Sequence, residues 1–188
     1  LGHGRHFIGN GMRSLLLSDF ANNYFYLKLG FRIWKIQYQT IFAELNNGSS
    51  RSTLGDVLLP KKYMATHYLS FKVSPKLEFG FFESVVFSRE DHFEFQYLNP
   101  VIIYRTVEFS LDSPDNVLIG FNANWQALPK TSFYVQLILD EFRTSELFSG
   151  NGWWGNKLGY QIGMKYFDLF DIKTLDLQLE YNYLKLGL

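Results

Sequence analysis

Three groups of residues in this chain carry chemistry suited to a polyhydroxylated ligand. Arg5, His6 and Arg13 lie in a glycine-punctuated opening stretch, and guanidinium groups make planar, bidentate contacts with the carboxylate of an acidic sugar. Asn122, Asn124, Gln126 and Gln136 fall at even positions of two extended segments, where neutral amides serve hydroxyl groups or water equally well. Trp153 and Trp154 stand between Gly152 and Gly155, and such indoles either stack on sugar rings or settle at a membrane interface. Asp140 and Lys157 bound a long connection, placed to pair across a hairpin.

Other chemistries fit less well. Asp140 and Glu141 are adjacent, so on a strand they point to opposite faces and cannot flank one substrate bond. His67 shares a strand face with Leu69 and Phe71 while Ser70 lies on the other, which leaves no Ser–His pair for lipid hydrolysis. Residues 4–11 faintly resemble a phosphate loop, but Asn10-Gly11 stands where Lys-Ser/Thr is required, and a glycine turn is the plainer reading. His3 and His6 lack a placed carboxylate for a metal site. Asn47-Gly48-Ser49 matches a glycosylation acceptor, a pattern short enough to arise by chance. Asn99-Pro100 with Arg105 suits a plug or constriction. No enzyme activity, metal or cofactor is expected.

The elements that position these residues follow a period of two. Leu158, Tyr160, Ile162, Met164 and Tyr166 alternate with Lys157, Gly159, Gln161, Gly163 and Lys165. Leu175, Leu177, Leu179, Tyr181 and Tyr183 alternate with Thr174, Asp176, Gln178, Glu180 and Asn182. That is the rhythm of strands. Their length, about eleven residues, is what crossing a bilayer at a tilt requires. Apolar-out, polar-in strands of this length predict a transmembrane β-barrel. Aromatic residues make up 19% of the chain, as interface girdles would need. Charge is balanced, 18 basic against 18 acidic residues, which argues against nucleic acid as a partner. There is no cysteine for disulfides or thiolate metal sites.

Along the chain, residues 1–23 read as a loop or lumen segment containing one helical turn. Residues 24–188 read as antiparallel strands. A short strand at 24–29 turns near Gly30, and the next runs over 33–45 with Trp34, Ile36, Tyr38, Thr40 and Phe42 on its apolar face. A β-bulge at Glu83 is expected to keep that carboxylate off the apolar face. Phe95 opens a weak strand candidate that Asn99-Pro100 interrupts. Short turns at Ser74-Pro75, Pro129-Lys130 and Phe170-Asp171 alternate with long connections over 46–62, 88–115 and 141–156, which are assigned to the cell exterior. The count is seven strands, or eight with the first.

Several motifs, in order along nearly the whole chain, carry a family resemblance. They include Gly4-Arg5-His6-Phe7-Ile8-Gly9-Asn10-Gly11, Arg13-Ser14-Leu15-Leu16-Leu17-Ser18-Asp19, Tyr26-Leu27-Lys28-Leu29 and Tyr97-Leu98-Asn99-Pro100. Leu139-Asp140-Glu141-Phe142, Trp153-Trp154, Asn156-Lys157 and Glu180-Tyr181 continue the series. The chain resembles the outer-membrane capsule-assembly barrels of the Wzi type, in the branch that includes RemB-like gliding-motility proteins. The resemblance implies an internal fragment of a larger, monomeric up-and-down barrel in the bacterial outer membrane, with lipid around it and surface polysaccharide as its partner. It implies capsule or exopolysaccharide assembly, binding or attachment, with a link to gliding. The competing expectations are a passive porin-like channel, a barrel enzyme, and a soluble lipocalin-like barrel with its apolar face turned inward.

Overall fold

A computed structural model describes residues 1–46, 61–88, 94–99, 115–140 and 157–185. Nine strands follow one another in a single antiparallel sheet whose spatial order is the chain order. They are β1 (Gly2–Gly4), β2 (Tyr24–Ile33), β3 (Ile36–Asn46), β4 (Lys61–Ser74), β5 (Leu77–Phe87), β6 (Asn116–Leu128), β7 (Thr131–Asp140), β8 (Lys157–Tyr166) and β9 (Leu177–Lys185). β1 and β9 are not paired with each other, so the sheet is open at both edges. The all-β, up-and-down architecture thus matches the alternating pattern of the sequence.

The first hairpin differs from expectation. β2 runs past Gly30, which sits opposite Gln39, and the chain turns at Trp34-Lys35 with Trp34 in the left-handed region (φ 53°). Trp34 therefore belongs to the turn and not to the apolar face of a strand. Gly30 is a weak breaker here because cross-strand pairing on both sides carries the strand through it. Turns at Pro75-Lys76 and Pro129-Lys130 lie at the same end, each beside a register shift, Lys72/Ser74 and Trp125/Leu128. No shift occurs at Glu83, which pairs directly with His67 and Ile119, so the expected bulge is absent. Phe95–Leu98 forms a 3₁₀ turn where a strand was entertained.

Register assigns every side chain to one of two faces. Across β2–β9 one row reads Arg32, Gln37, Ser70, Gly80, Asn122, Gln136, Gln161, Asn182. The adjacent row on the other face reads Phe31, Tyr38, Leu69, Phe81, Phe121, Leu137, Tyr160, Tyr183. One face is thus polar and the other apolar, as period-two strands dictate.

Residues 5–23 join β1 to β2 at the end opposite the short turns, and they fold back over the polar face. No helical turn forms there. The Ile8 N–H donates to the Leu17 carbonyl at 2.9 Å, so the segment closes on itself as a narrow loop. Ile8 and Leu16 are buried against Tyr68 and Phe82, with Leu17, Leu118 and Ile138 around them. Gly120 permits this: a Cβ there would collide with Leu16.

Candidate functional site

The folded-in segment is held by the polar row of the sheet. The Gln136 side-chain oxygen accepts from the Leu15 N–H at 2.9 Å, while its amide nitrogen donates to Ser14 Oγ at 3.2 Å. Ser14 Oγ also donates to the Ile8 carbonyl. Gln161 Nε2 donates to the Arg13 carbonyl and to Asn182 Oδ1, at 2.9 and 2.8 Å. Glu180 accepts from the Met12 N–H at 2.9 Å and from the Tyr134 hydroxyl at 2.8 Å. Asn10 Nδ2 donates to Asn122 Oδ1 at 3.4 Å. The ring of Tyr134 lies over Gly163, where any side chain would strike it. A loop backbone lacks sheet partners of its own, so side-chain amides supply them.

The predicted site residues therefore separate. Asn122 and Gln136 are brought together, but both are buried under residues 8–17 and grip this chain instead of facing an open volume. Asp140 and Lys157 are cross-strand partners, Nζ to Oδ2 3.4 Å, as their positions suggested. Arg5 donates to the Asp19 carbonyl at 3.2 Å, and the Arg13 guanidinium lies 3.8 Å from the Phe20 ring centre. Both guanidinium groups thus rest on partners within residues 5–23. His6 packs edge-on to Tyr26 and bonds the Tyr24 hydroxyl through Nδ1 at 3.2 Å. Burial, then the charge of Lys28, holds its pKa below 6.5. His3 lies opposite Phe25 on the apolar side of the sheet, so the two histidines do not converge. Trp153, Trp154, Glu141, Pro100, Arg105 and residues 47–49 lie outside the described residues.

Asn124 and Gln126, of the predicted amides, line an open cleft. That cleft, about 310 Å³, sits at the short-turn end between Asn10 and the β6–β7 turn. Lys130 on its rim is tied to Asp171 at 2.7 Å and Asp168 at 3.8 Å, joining two turns. The hydrogen bond to Asp171, assisted by both carboxylates' charge, raises the Lys130 pKa, and the same bond with the charge of Lys130 lowers that of Asp171.

A second polar group escaped sequence reasoning. Thr40, His67 and Glu83 stand side by side across β3–β5 on the apolar face, with Tyr38 bonding His67 Nδ1 through its hydroxyl. All three are buried. Tyr97, also buried, packs beside them on Ala65, Val85, Phe87 and Val117. The signal was present in the unbroken alternation from Phe79 through Glu83 to Phe87; the assumption that a carboxylate must leave an apolar face hid it. His67 and Ser70 remain on opposite faces, as period two requires.

Scans of the chain against protein-family models, curated proteins and solved structures return no match.

Proposed function

We propose that this chain is wall of an outer-membrane β-barrel that takes part in capsule or exopolysaccharide assembly, binding or surface attachment, with gliding motility as the related role. The observation that carries the barrel half of this reading is an inversion on β6–β9. The polar face is the covered one, and the apolar face, from Phe121 through Leu137 and Ile162 to Tyr181, is exposed. An aqueous protein would leave a large apolar surface uncovered that way, whereas lipid is its natural solvent. Alternating short and long connections fit the same architecture. So does the burial of Thr40, His67 and Glu83, because polar side chains on such a wall are kept from facing lipid.

In this reading the polar face is the lumen and residues 5–23 are a connection folded into it. Open edges are not tolerated in lipid, so β1 and β9 pair with further strands of the complete wall. The glycan half rests on the family resemblance together with the amide and hydroxyl lining. It is tested by fractionating cells and comparing capsule retention with and without the gene. Outer-membrane location with shed polysaccharide in its absence supports the reading. Normal surface glycan with reduced solute uptake replaces it with a passive channel, and a protein soluble without detergent replaces it with a lipocalin-like binder.

A further inference from the structure

We propose that the cleft between Asn10 and the β6–β7 turn is a subsite for an acidic sugar, with Lys165 meeting the sugar carboxylate. This deepens the glycan-assembly reading and rests on it. The cleft gathers side chains from separate elements: Asn10 from the folded-in connection, Asn124 and Gln126 from β6, Ser132 from β7, Lys165 from β8, and Phe167 just beyond it. Its volume of about 310 Å³ is at the small end of ligand sites, which run from about 300 to 1,000 Å³.

The hydrogen bonds already made leave a balanced set of groups. Ser132 donates to Asn124 Oδ1 at 2.8 Å, so the Asn124 amide N–H groups remain to donate. Gln126 Nε2 donates one N–H to the Pro129 carbonyl at 3.3 Å and Asn10 Nδ2 one to Asn122, so each keeps a second N–H to donate and its side-chain oxygen to accept. Donors and acceptors side by side suit hydroxyl groups, which do both. Phe167 is half-exposed and supplies an apolar surface for the ring of the sugar.

Charge then selects the acidic member of that class. Lys165 has no ion-pair partner among the described residues and rests 5.6 Å from the centre of the Tyr134 ring. Its neighbour Lys130 is held by two carboxylates, while Arg5 and Arg13 lie outside this cleft, Arg5 on the Asp19 carbonyl and Arg13 over the Phe20 ring. The larger cleft at the opposite end, about 460 Å³, contains Lys61 already paired with Glu44. Lys165 is thus a cation without a carboxylate partner among the described residues in a cleft large enough for a sugar; the cleft beside Arg32 and Lys35, about 100 Å³, is well below that size. On the barrel reading the short turns face the periplasm, so an anionic chain arriving from that side meets this cleft before the amide row.

The test measures binding of oligogalacturonate and of a neutral malto-oligosaccharide of equal length to the full-length protein in detergent, by calorimetry. Oligogalacturonate should bind more tightly, Lys165→Gln should weaken it by about tenfold, the scale of one charge-assisted hydrogen bond, and Lys165→Arg should restore most of it. Neutral-sugar binding should not change in Lys165→Gln. Equal affinity for the two sugars, or a Lys165→Gln protein that binds oligogalacturonate normally, overturns the subsite. The same preparation is scored for heat-modifiable migration: a folded barrel that ignores oligogalacturonate sinks the subsite alone. A protein that stays in solution without detergent sinks the barrel reading and this proposal with it.

Discussion

Neighbouring residues in this sheet differ in a way that inverts an aqueous protein. Gln136 is 0% exposed and Leu137 beside it 40%; Gln161 is 0% exposed and Ile162 beside it 50%. In each pair the amide is enclosed and the aliphatic side chain is open. On β3–β5 the arrangement changes. There the apolar face also carries Thr40, His67 and Glu83, and there it is covered. Cover thus follows polarity on both faces of β3–β8: where the middle of these strands presents polar groups, protein lies over them. That is the economy expected where the surrounding solvent cannot hydrogen-bond.

The sharpest way to break this comparison is to put a charge on the open apolar face. Ile162→Arg should cost about 2–4 kcal/mol if the position lies near the middle of a bilayer, and heat-modifiable folding in lipid should be lost or greatly reduced. At an exposed site in water the same change stays within about 0.5 kcal/mol. Normal yield and unchanged thermal stability of the variant would therefore remove the membrane from the argument.

The next effect should come from the covered polar face. Gln136→Ala deprives the Leu15 N–H and Ser14 of a partner while both stay enclosed, a loss of about 1–3 kcal/mol for each buried group left unmatched. Its expected signature is local. Hydrogen exchange at the Ile8 amide should accelerate while amides in the centre of β7 remain protected. Uniform acceleration would mean that residues 8–17 are an integral part of the fold and not a separately docked connection.

These two faces were not equally legible in the sequence. Strand periodicity revealed the antiparallel meander, the apolar rows and the Asp140–Lys157 pairing, because all three depend on spacing alone. The location of the first turn was misread at Gly30, since glycine weakens a strand only when pairing does not hold it on both sides. The covering of Asn122 and Gln136 was invisible. It arises from contacts more than a hundred residues apart in the chain, as between Ser14 and Gln136, and no local pattern encodes which open amide a distant loop will occupy. The open cleft at Lys165 was hidden for the same reason: its walls come from the folded-in connection and from three strands that lie far from it in the chain.

A smaller effect separates two threonines on opposite faces. Thr66, on the polar face, shares a hydrogen bond with Ser84 at 2.7 Å. The Thr40 hydroxyl, on the apolar face, is buried with no hydrogen-bond partner among the described residues. Thr→Val keeps the shape and removes the hydroxyl. Thr66→Val should destabilise by about 1 kcal/mol, and Thr40→Val should be neutral or stabilising, because a buried hydroxyl without a partner costs more than a methyl group. Denaturation midpoints of the two variants in parallel decide it; equal losses would show that the Thr40 hydroxyl is satisfied in solution.

Acidity should produce the smallest change, and it should be confined to the folded-in connection. Burial and the charge of Lys28 hold His6 below its ordinary pKa of 6.5, so the folded state binds the proton less readily than the unfolded segment does. The stabilisation from neutral His6 is fully present above pH 6.5 and declines as pH falls through that value toward the lowered one. Lowering pH from about 8 to about 5 should therefore loosen residues 5–23, seen as weaker protection of the Ile8 amide relative to its intrinsic exchange rate at each pH. His6→Phe, which keeps an aromatic ring beside Tyr26, should abolish that pH dependence. The Lys130–Asp171 bridge is an internal contrast: Asp171 lies below its ordinary 3.8, so its contribution persists throughout this window and fades only in stronger acid. Protection at the short turns should stay constant while protection near Ile8 falls, and a fall at both ends would assign the acid response to the sheet as a whole instead of to the histidine.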